Sequence, residues 1–92
     1  MIHDLRTKNH LLPSLKNLLQ ACLIYSRPDY EIVMKMYTEK KEILIYVYLG
    51  GWEYAKENIR ERSYSIKIDL DDPNVAHECY QAYAKLENGS KE

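Results

Sequence analysis

The stretch YEIVMKMYTEKKEILIYVYLGG, residues 30–51, decides the fold. In its first part the side chains alternate, so that Tyr30, Ile32 and Met34 share one face while Glu31, Val33 and Lys35 share the other. Its second part, residues 43–49, is β-branched and aromatic, which is typical of a strand. The charged residues between the two parts are too few for a crossover, so the stretch predicts an antiparallel hairpin that ends at Gly50-Gly51.

Upstream of the hairpin, apolar residues recur at spacings of three and four, which predicts an amphipathic helix from about residue 10 to residue 25. Asn9 is the expected N-cap and Pro13 is expected in the first turn. A breaker at 26–29, with Pro28, ends the helix. The apolar stripe consists of Leu11, Leu12, Leu15, Leu18, Leu19, Cys22 and Leu23.

Downstream, Tyr64, Ile66 and Ile68 alternate with polar residues, which predicts a third strand over residues 63–70. Asp72 is the expected N-cap of a last helix, with Pro73 at its first position and Gly89 as a left-handed C-terminal residue. The apolar stripe of this helix is Val75, Cys79, Ala82, Tyr83 and Leu86.

Residues 52–62 allow two interpretations. Trp52, Ala55 and Ile59 fall on one helical face, and charges of both signs lie at helical spacing, which favours a helix. The alternative extends the second strand through Gly50-Gly51 and returns as a longer third strand.

These elements predict an α+β fold: a small three-stranded, mainly antiparallel sheet packed by N- and C-terminal helices, with a short helix between strands 2 and 3. The 92 residues fit a single globular domain, 1–92, with residues 1–8 and 90–92 expected to fray.

Composition excludes several classes of protein. A hydrophobic content of 46% and a net charge of −1 exclude an intrinsically disordered chain and a strongly basic nucleic-acid binder. Two cysteines are too few for a disulfide-stapled secreted domain, and the sequence shows neither a signal peptide nor a membrane span. We therefore expect a cytoplasmic protein that does not contact membranes.

Signatures of catalysis are missing from the sequence, which contains no nucleophile elbow, P-loop or zinc-protease motif. His77 and Cys79 are two residues apart on a predicted helix and point about 200° away from each other, so they do not form a metal pair. The sequence therefore predicts a protein that is not an enzyme and uses neither a cofactor nor a metal.

The most informative feature is the second face of the sheet, which is apolar and rich in tyrosine. The chain contains nine Tyr and no Phe. Tyrosine is common in contact surfaces because its ring is apolar while its hydroxyl tolerates water. Three explanations compete: cover by the 52–62 helix, a protein interface, or base stacking in a nucleic-acid-binding αβββα domain with lysine contacts to phosphates. The candidate interface residues are Val33, Tyr37, Leu44, Tyr46, Tyr48 and Trp52.

We expect a non-enzymatic protein-binding module, a small regulatory or inhibitory accessory protein that binds one larger partner and forms a homodimer through this face. An acidic surface suggests a further alternative, an inhibitor that offers a phosphate-like array to a nucleic-acid enzyme. Interleaved Lys56, Arg60 and Arg62 argue against that array. Its residues are Glu53, Glu57, Glu61, Asp69, Asp71 and Asp72.

Overall fold

Four helices and three strands make up the chain in the computed structural model, which describes residues 2–91 and the side chains of residues 13–91. In chain order they are α1 (Ile2–Tyr25), β1 (Tyr30–Tyr37), β2 (Glu42–Leu49), α2 (Trp52–Ala55), α3 (Ile59–Arg62), β3 (Ser63–Asp69) and α4 (Val75–Ser90). The predicted α+β class is confirmed. The expected fraying of residues 1 and 92, and the side chains of Leu11 and Leu12, lie outside the described residues.

The strands form one antiparallel sheet in the order β1-β2-β3. The central strand β2 sets the register: Ile45 lies opposite Met34 of β1 on one side and Ile66 of β3 on the other. Because side chains alternate along a strand, this register brings the Met34, Ile45 and Ile66 side chains to one face, together with Ile32, Ile43, Val47 and Ile68.

Both long helices cover that aliphatic face. α1 packs along α4 and contacts β1, while α4 contacts β3. Between the two helices the Tyr25 and Tyr83 rings meet edge to face at 6.1 Å, and the Tyr25 hydroxyl donates a hydrogen bond of 2.6 Å to Glu87. The buried core consists of Leu18, Ala21, Cys22, Tyr30, Ile43, Ile45, Val47, Ile68, Val75, Cys79, Ala82 and Leu86.

The first helix differs from its prediction at the N-terminus. It begins at Ile2, so Asn9 lies inside the helix rather than capping it, and Pro13 is an interior residue. A proline removes only one helical hydrogen bond, and the residues before it, among them Leu5, Arg6 and Lys8, have good helix propensity. The position of Pro13 therefore did not indicate where this helix begins.

The apolar stripe of α1 is also only partly buried. Leu18 and Cys22 belong to the core, but Leu19 is 49% exposed and Leu23 is 73% exposed. α1 contacts α4 on one flank and β1 below it, and the exposed Leu19 and Leu23 lie on its other flank. The prediction that Leu19 and Leu23 face the core is wrong.

The segment after β2 begins with two glycines of positive φ, 85° at Gly50 and 87° at Gly51. A side chain at Gly51 would run into the carbonyl oxygen of Pro28, so the turn requires a residue without a Cβ atom. The helix predicted over 52–62 is present as two single turns, α2 and α3. Asn58 separates them, because its φ of −150° is not helical and its carbonyl accepts the N–H groups of Glu61 and Arg62 to start α3.

Two details of the last helix differ from prediction. It begins at Val75 rather than at Pro73. The Asp72 carboxylate accepts the Asn74 N–H at 2.8 Å and the Asp72 carbonyl accepts the Val75 N–H at 3.0 Å, so residues 72–75 form a turn that leads into the helix. Gly89 is helical and has no positive φ. A Cβ atom at Gly89 would meet the hydroxyl oxygens of Tyr30 and Tyr64, so the glycine allows close packing of the helix on the sheet.

None of the helices in the described part of the chain combines the length and the apolar run needed to cross a bilayer.

Candidate interaction surface on the sheet

The face of the sheet that points away from α1 and α4 is here called the open face. Its side chains form cross-strand rows that follow from the register, the two middle rows being Val33–Tyr46–Ser65 and Lys35–Leu44–Lys67. The remaining rows are Glu31–Tyr48–Ser63 at one end and Tyr37–Glu42–Asp69 at the other. Apolar residues therefore occupy the middle, and charged residues surround them.

Three of the predicted interface residues form the centre of the open face. Val33 and Tyr46 are directly opposite each other across β1 and β2, and Leu44 follows Tyr46 on the same face of β2. All three are half-buried. Cross-strand neighbours of this kind pack against one another. One side of each of these three side chains stays exposed to solvent.

Tyr48 and Trp52 make up the end of the open face next to α2. Their rings pack edge to face with centroids 5.1 Å apart. Glu31 holds Trp52 in place, since its carboxylate accepts the Trp52 backbone N–H at 3.1 Å. Trp52 remains 39% exposed, so it extends the aromatic surface beyond the strands.

Lysines lie over the ring faces of the other two tyrosines. The Lys35 ammonium is 5.6 Å from the centroid of Tyr46, and the Lys40 ammonium is 5.7 Å from that of Tyr37. Such cation–π contacts are worth about 0.5–1 kcal/mol at exposed sites. They position the lysines at the edge of the apolar centre.

The α2–α3 segment does not cover the open face. Ala55 is its buried contact, whereas Ile59 is exposed, and the segment lies at the end of the sheet beside Tyr48. Broken into two turns, it is too short to extend across the middle rows. Of the open-face tyrosines, only Tyr48 packs against this segment, through Trp52, and it is half-buried rather than part of the core.

The residues of the predicted acidic surface fall into two separate groups. Glu53, Glu57 and Glu61 lie on or between α2 and α3, before β3, while Asp69, Asp71 and Asp72 follow the far end of that strand. Six residues of strand separate the groups by about 20 Å.

Most of these carboxylates already have partners. Glu53 forms an ion pair of 2.7 Å with Lys56, and Asp69 accepts the Asp71 N–H at 2.9 Å. The structure therefore does not assemble a single phosphate-like array.

Shifted pKa values fall on the helical side of the sheet. Burial raises the pKa of the Cys22 thiol to about 11 and also raises that of the Cys79 thiol, so both stay protonated and are poor nucleophiles. The hydrogen bond to Glu87, together with one to Tyr83, raises the pKa of Tyr25. Burial, reinforced by the charges of Asp72 and Asp69, raises the pKa of Glu78.

Sequence reasoning missed one element of this surface. The Arg62 guanidinium lies 3.9 Å from the centroid of the Tyr54 ring and donates a hydrogen bond of 3.1 Å to the Tyr54 carbonyl. Tyr54 is exposed beside Trp52. Tyr54 and Arg62 lie on either side of the break at Asn58, so no single helical or strand period relates them and the sequence held no signal for this pair.

Among the described residues, no three histidine, cysteine or acidic side chains come together in a group able to hold a metal ion. Comparison with known proteins found no matching family model, no similar curated protein and no similar solved structure.

Proposed function

We propose that this chain is a non-enzymatic protein-binding module, a regulatory or inhibitory accessory protein that binds one larger protein through the open face. The observation that carries the proposal is the apolar centre of Val33, Leu44 and Tyr46, which sits on a rigid sheet and is covered by no described element. Apolar patches rimmed by polar residues on a small protein mark contact surfaces.

The size of the open face indicates how far a partner extends. Eight residues and three strands span about 26 Å by about 14 Å, or roughly 360 Å². A stable interface buries about 800 Å² per partner. A partner must therefore also contact neighbouring surface, and the exposed rings of Trp52 and Tyr54 offer the nearest aromatic anchors.

Charge favours a protein over a nucleic acid as the partner. The open face carries Lys35 and Lys67, but it also carries the carboxylates of Glu31, Glu42 and Asp69. Lys67 is paired with Glu42 at 3.3 Å. Since neutralisation of phosphates supplies most nucleic-acid affinity, a face without surplus positive charge suits a protein better.

The test compares one pair of substitutions with a control substitution in the 92-residue chain, used as bait with lysate of its source organism. Tyr37→Ala with Tyr46→Ala removes two open-face rings, while Tyr80→Ala removes an exposed ring outside the open face; Tyr80 is 69% exposed on α4. We expect nuclease-resistant capture of one stoichiometric protein, reduced at least tenfold by the Tyr37/Tyr46 pair because interface aromatics carry much of the binding free energy.

The Tyr80→Ala single variant is the matched control and should bind as the wild type does. Circular dichroism and urea unfolding must show that every variant is folded. Equal capture by the wild type and the Tyr37/Tyr46 variant would overturn the proposal. Loss of all bound material after nuclease treatment, with affinity that falls steeply as salt rises, would instead support nucleic-acid binding.

A further inference from the structure

Strand β3 has one partner, β2, so its other side is an edge of the sheet. The Leu70 N–H donates to the Lys41 carbonyl at 2.8 Å on the β2 side, so alternation directs the backbone groups of Ser65 and Lys67 outward. No described residue forms a hydrogen bond with these outward groups of Ser65 and Lys67. Such unpaired N–H and C=O groups can bind a further strand.

A groove of about 290 Å³ runs between this edge and helix α4. It is lined by residues 65–67 of β3 and by Glu78, Gln81, Ala82 and Lys85 of α4. Side chains of consecutive strand residues point to opposite faces of the sheet, so a groove that touches three in a row meets the strand at its backbone edge. The α4 residues recur at helical spacing and form one face of the helix. The open edge therefore has a helix wall beside it.

The carboxylate of Glu78 is the unusual group in this groove. One of its oxygens is buried and has no hydrogen-bond partner among the described residues, and none of the described ion pairs includes Glu78. The carboxylates of Asp69 and Asp72 lie close enough to repel it. A partly buried carboxylate among like charges is costly unless a cation or a hydrogen-bond donor joins it.

The other end of the groove is basic. Lys85 lies two turns further along α4, about 10 Å from Glu78, and its ammonium is 4.9 Å from the centroid of the Tyr64 ring. Lys67 adds little charge within the groove, because its ammonium pairs with Glu42 at 3.3 Å on the open face. The groove therefore runs from a negative end at Glu78 to a positive end at Lys85.

We propose that this groove binds an extended peptide segment of another protein, which pairs with β3 as a fourth strand and places a lysine or arginine side chain against Glu78. The outward backbone groups of Ser65 and Lys67 supply main-chain hydrogen bonds, and Glu78 supplies the preference for a cation. Lys85 disfavours a second cation at the other end. The groove is separate from the open face, so this proposal does not depend on the function proposed above.

Charge and geometry together identify the occupant as a peptide rather than a metal ion. No three histidine, cysteine or acidic side chains of the described part of the chain converge to hold a metal ion. A strand that carries one cationic side chain instead satisfies the open edge and the Glu78 carboxylate at the same time.

The first test titrates the 92-residue chain with three synthetic peptides and follows its backbone amide signals by NMR. The peptides alternate threonine and valine and differ only at the central position, which is lysine, glutamine or glutamate. We expect the lysine peptide to bind at least about tenfold more tightly than the glutamate peptide, since like charges in contact are strongly unfavourable. The largest shifts should fall on the amides of Ser65 and Lys67.

Glu78→Gln tests the source of this preference. It should weaken binding of the lysine peptide about tenfold and leave binding of the glutamine peptide unchanged. The variant should fold, because it removes a charge that burial disfavours. The matched control is Glu57→Gln, which changes an exposed carboxylate outside the groove and should keep the preference for lysine.

Methylation of single peptide nitrogens tests the pairing with β3. Only every second N–H of an added strand faces its neighbour. A methyl group on one of the two amide nitrogens next to the central residue should abolish binding of the lysine peptide, whereas a methyl group on the other should have little effect.

Four results would overturn the proposal. They are the absence of shifts at Ser65 and Lys67 at millimolar peptide, equal affinity for the lysine and glutamate peptides, equal effects of the two methyl groups, and a dimer of the chain that the lysine peptide dissociates. The last result would assign the groove to a second copy. The Tyr37→Ala/Tyr46→Ala variant should bind the lysine peptide as the wild type does, which separates this proposal from the one for the open face.

Discussion

The two faces of strand β2 are formed by alternating residues of one strand but differ in burial. Ile43, Ile45 and Val47 point toward the helices and are fully buried, whereas Leu44, Tyr46 and Tyr48 point to the open face and are half-buried. The buried face of β2 contains only aliphatic side chains, whereas the open face of β2 contains Leu44 beside two rings with a hydroxyl at the tip. Apolar content alone therefore does not separate core from surface.

This difference implies that stability and the proposed binding can be changed independently. A substitution on the helix-covered face removes contacts with many core neighbours, while one on the open face removes contacts with a few strand neighbours. Substituting consecutive residues of β2 tests the distinction directly, because backbone position and strand pairing are then nearly constant.

The largest effect is expected for Ile45→Ala. It creates a cavity at the middle of the core and should lower the free energy of unfolding by about 2–5 kcal/mol, measured by urea denaturation. The matched Leu44→Ala substitution removes a side chain of the same size from the open face and should cost clearly less. Equal losses for the two variants would show that the open face is covered by structure in solution.

A smaller loss is expected for Gly89→Ala, in the last turn of α4. Glycine to alanine inside a helix normally stabilises by about 1 kcal/mol, but here the new methyl group would meet the hydroxyls of Tyr30 and Tyr64. We expect destabilisation of about 1–3 kcal/mol, as for other overpacked sites.

The same substitution in a Tyr30→Phe background gives the control. The Tyr30 hydroxyl donates to the Leu86 carbonyl at 3.1 Å and therefore accepts from the Tyr64 hydroxyl at 2.5 Å. Removing its hydroxyl makes room for the methyl group, so the cost of Gly89→Ala should fall in that background. A Gly89→Ala variant more stable than the wild type would contradict the close approach.

Gly89 also shows where the sequence stopped being informative. A glycine near the end of an apolar stripe predicts a left-handed helix terminus, and nothing in the sequence says that a tyrosine from β1, 59 positions earlier, will fill the space beside it. Local periodicity correctly predicted the hairpin, the third strand and both faces of the sheet, because alternation is a property of neighbouring residues.

The predicted burial of Leu19 and Leu23 on α1 was wrong for the same physical reason. Leu18 and Leu23 belong to one apolar stripe, but only tertiary packing decides how much of a wide stripe a neighbour covers. For the candidate site, the residues of the open face could be predicted, whereas the division of Trp52–Arg62 into two turns, and with it the exposure of the face, could not.

Tyr48 and Trp52 lie where the open face meets the α2 segment. A double-mutant cycle measures the coupling free energy between their rings. The edge-to-face pair should give a coupling free energy of about 0.5–1.5 kcal/mol in urea denaturation of Tyr48→Ala, Trp52→Ala and the double variant. The control cycle pairs Tyr46→Ala with Trp52→Ala, for which we expect little coupling. Coupling of similar size in both cycles would place Tyr46 under the α2 segment.

The smallest effect is a pH dependence on the helix-covered side, at Glu78. One carboxylate oxygen of Glu78 is buried without a hydrogen-bond partner among the described residues. Burial, followed by the charges of Asp72 and Asp69, raises the pKa of Glu78 in the folded chain. The charge of His77 partly opposes this shift. An acid whose pKa is raised by folding binds its proton more tightly in the folded state.

The charged form of Glu78 therefore destabilises the fold above its folded pKa, and this cost disappears as pH falls toward the ordinary value of about 4.3. Relative to Glu78→Gln, which does not titrate, the wild type should gain stability in urea denaturation as the pH is lowered from 7 toward that ordinary value of about 4.3. The carbon NMR titration of the Glu78 carboxyl should have its midpoint above the ordinary value. A midpoint at or below that value would mean that water reaches both oxygens of the Glu78 carboxylate. The helical layer would then be more accessible to water beside β3 than beside β1.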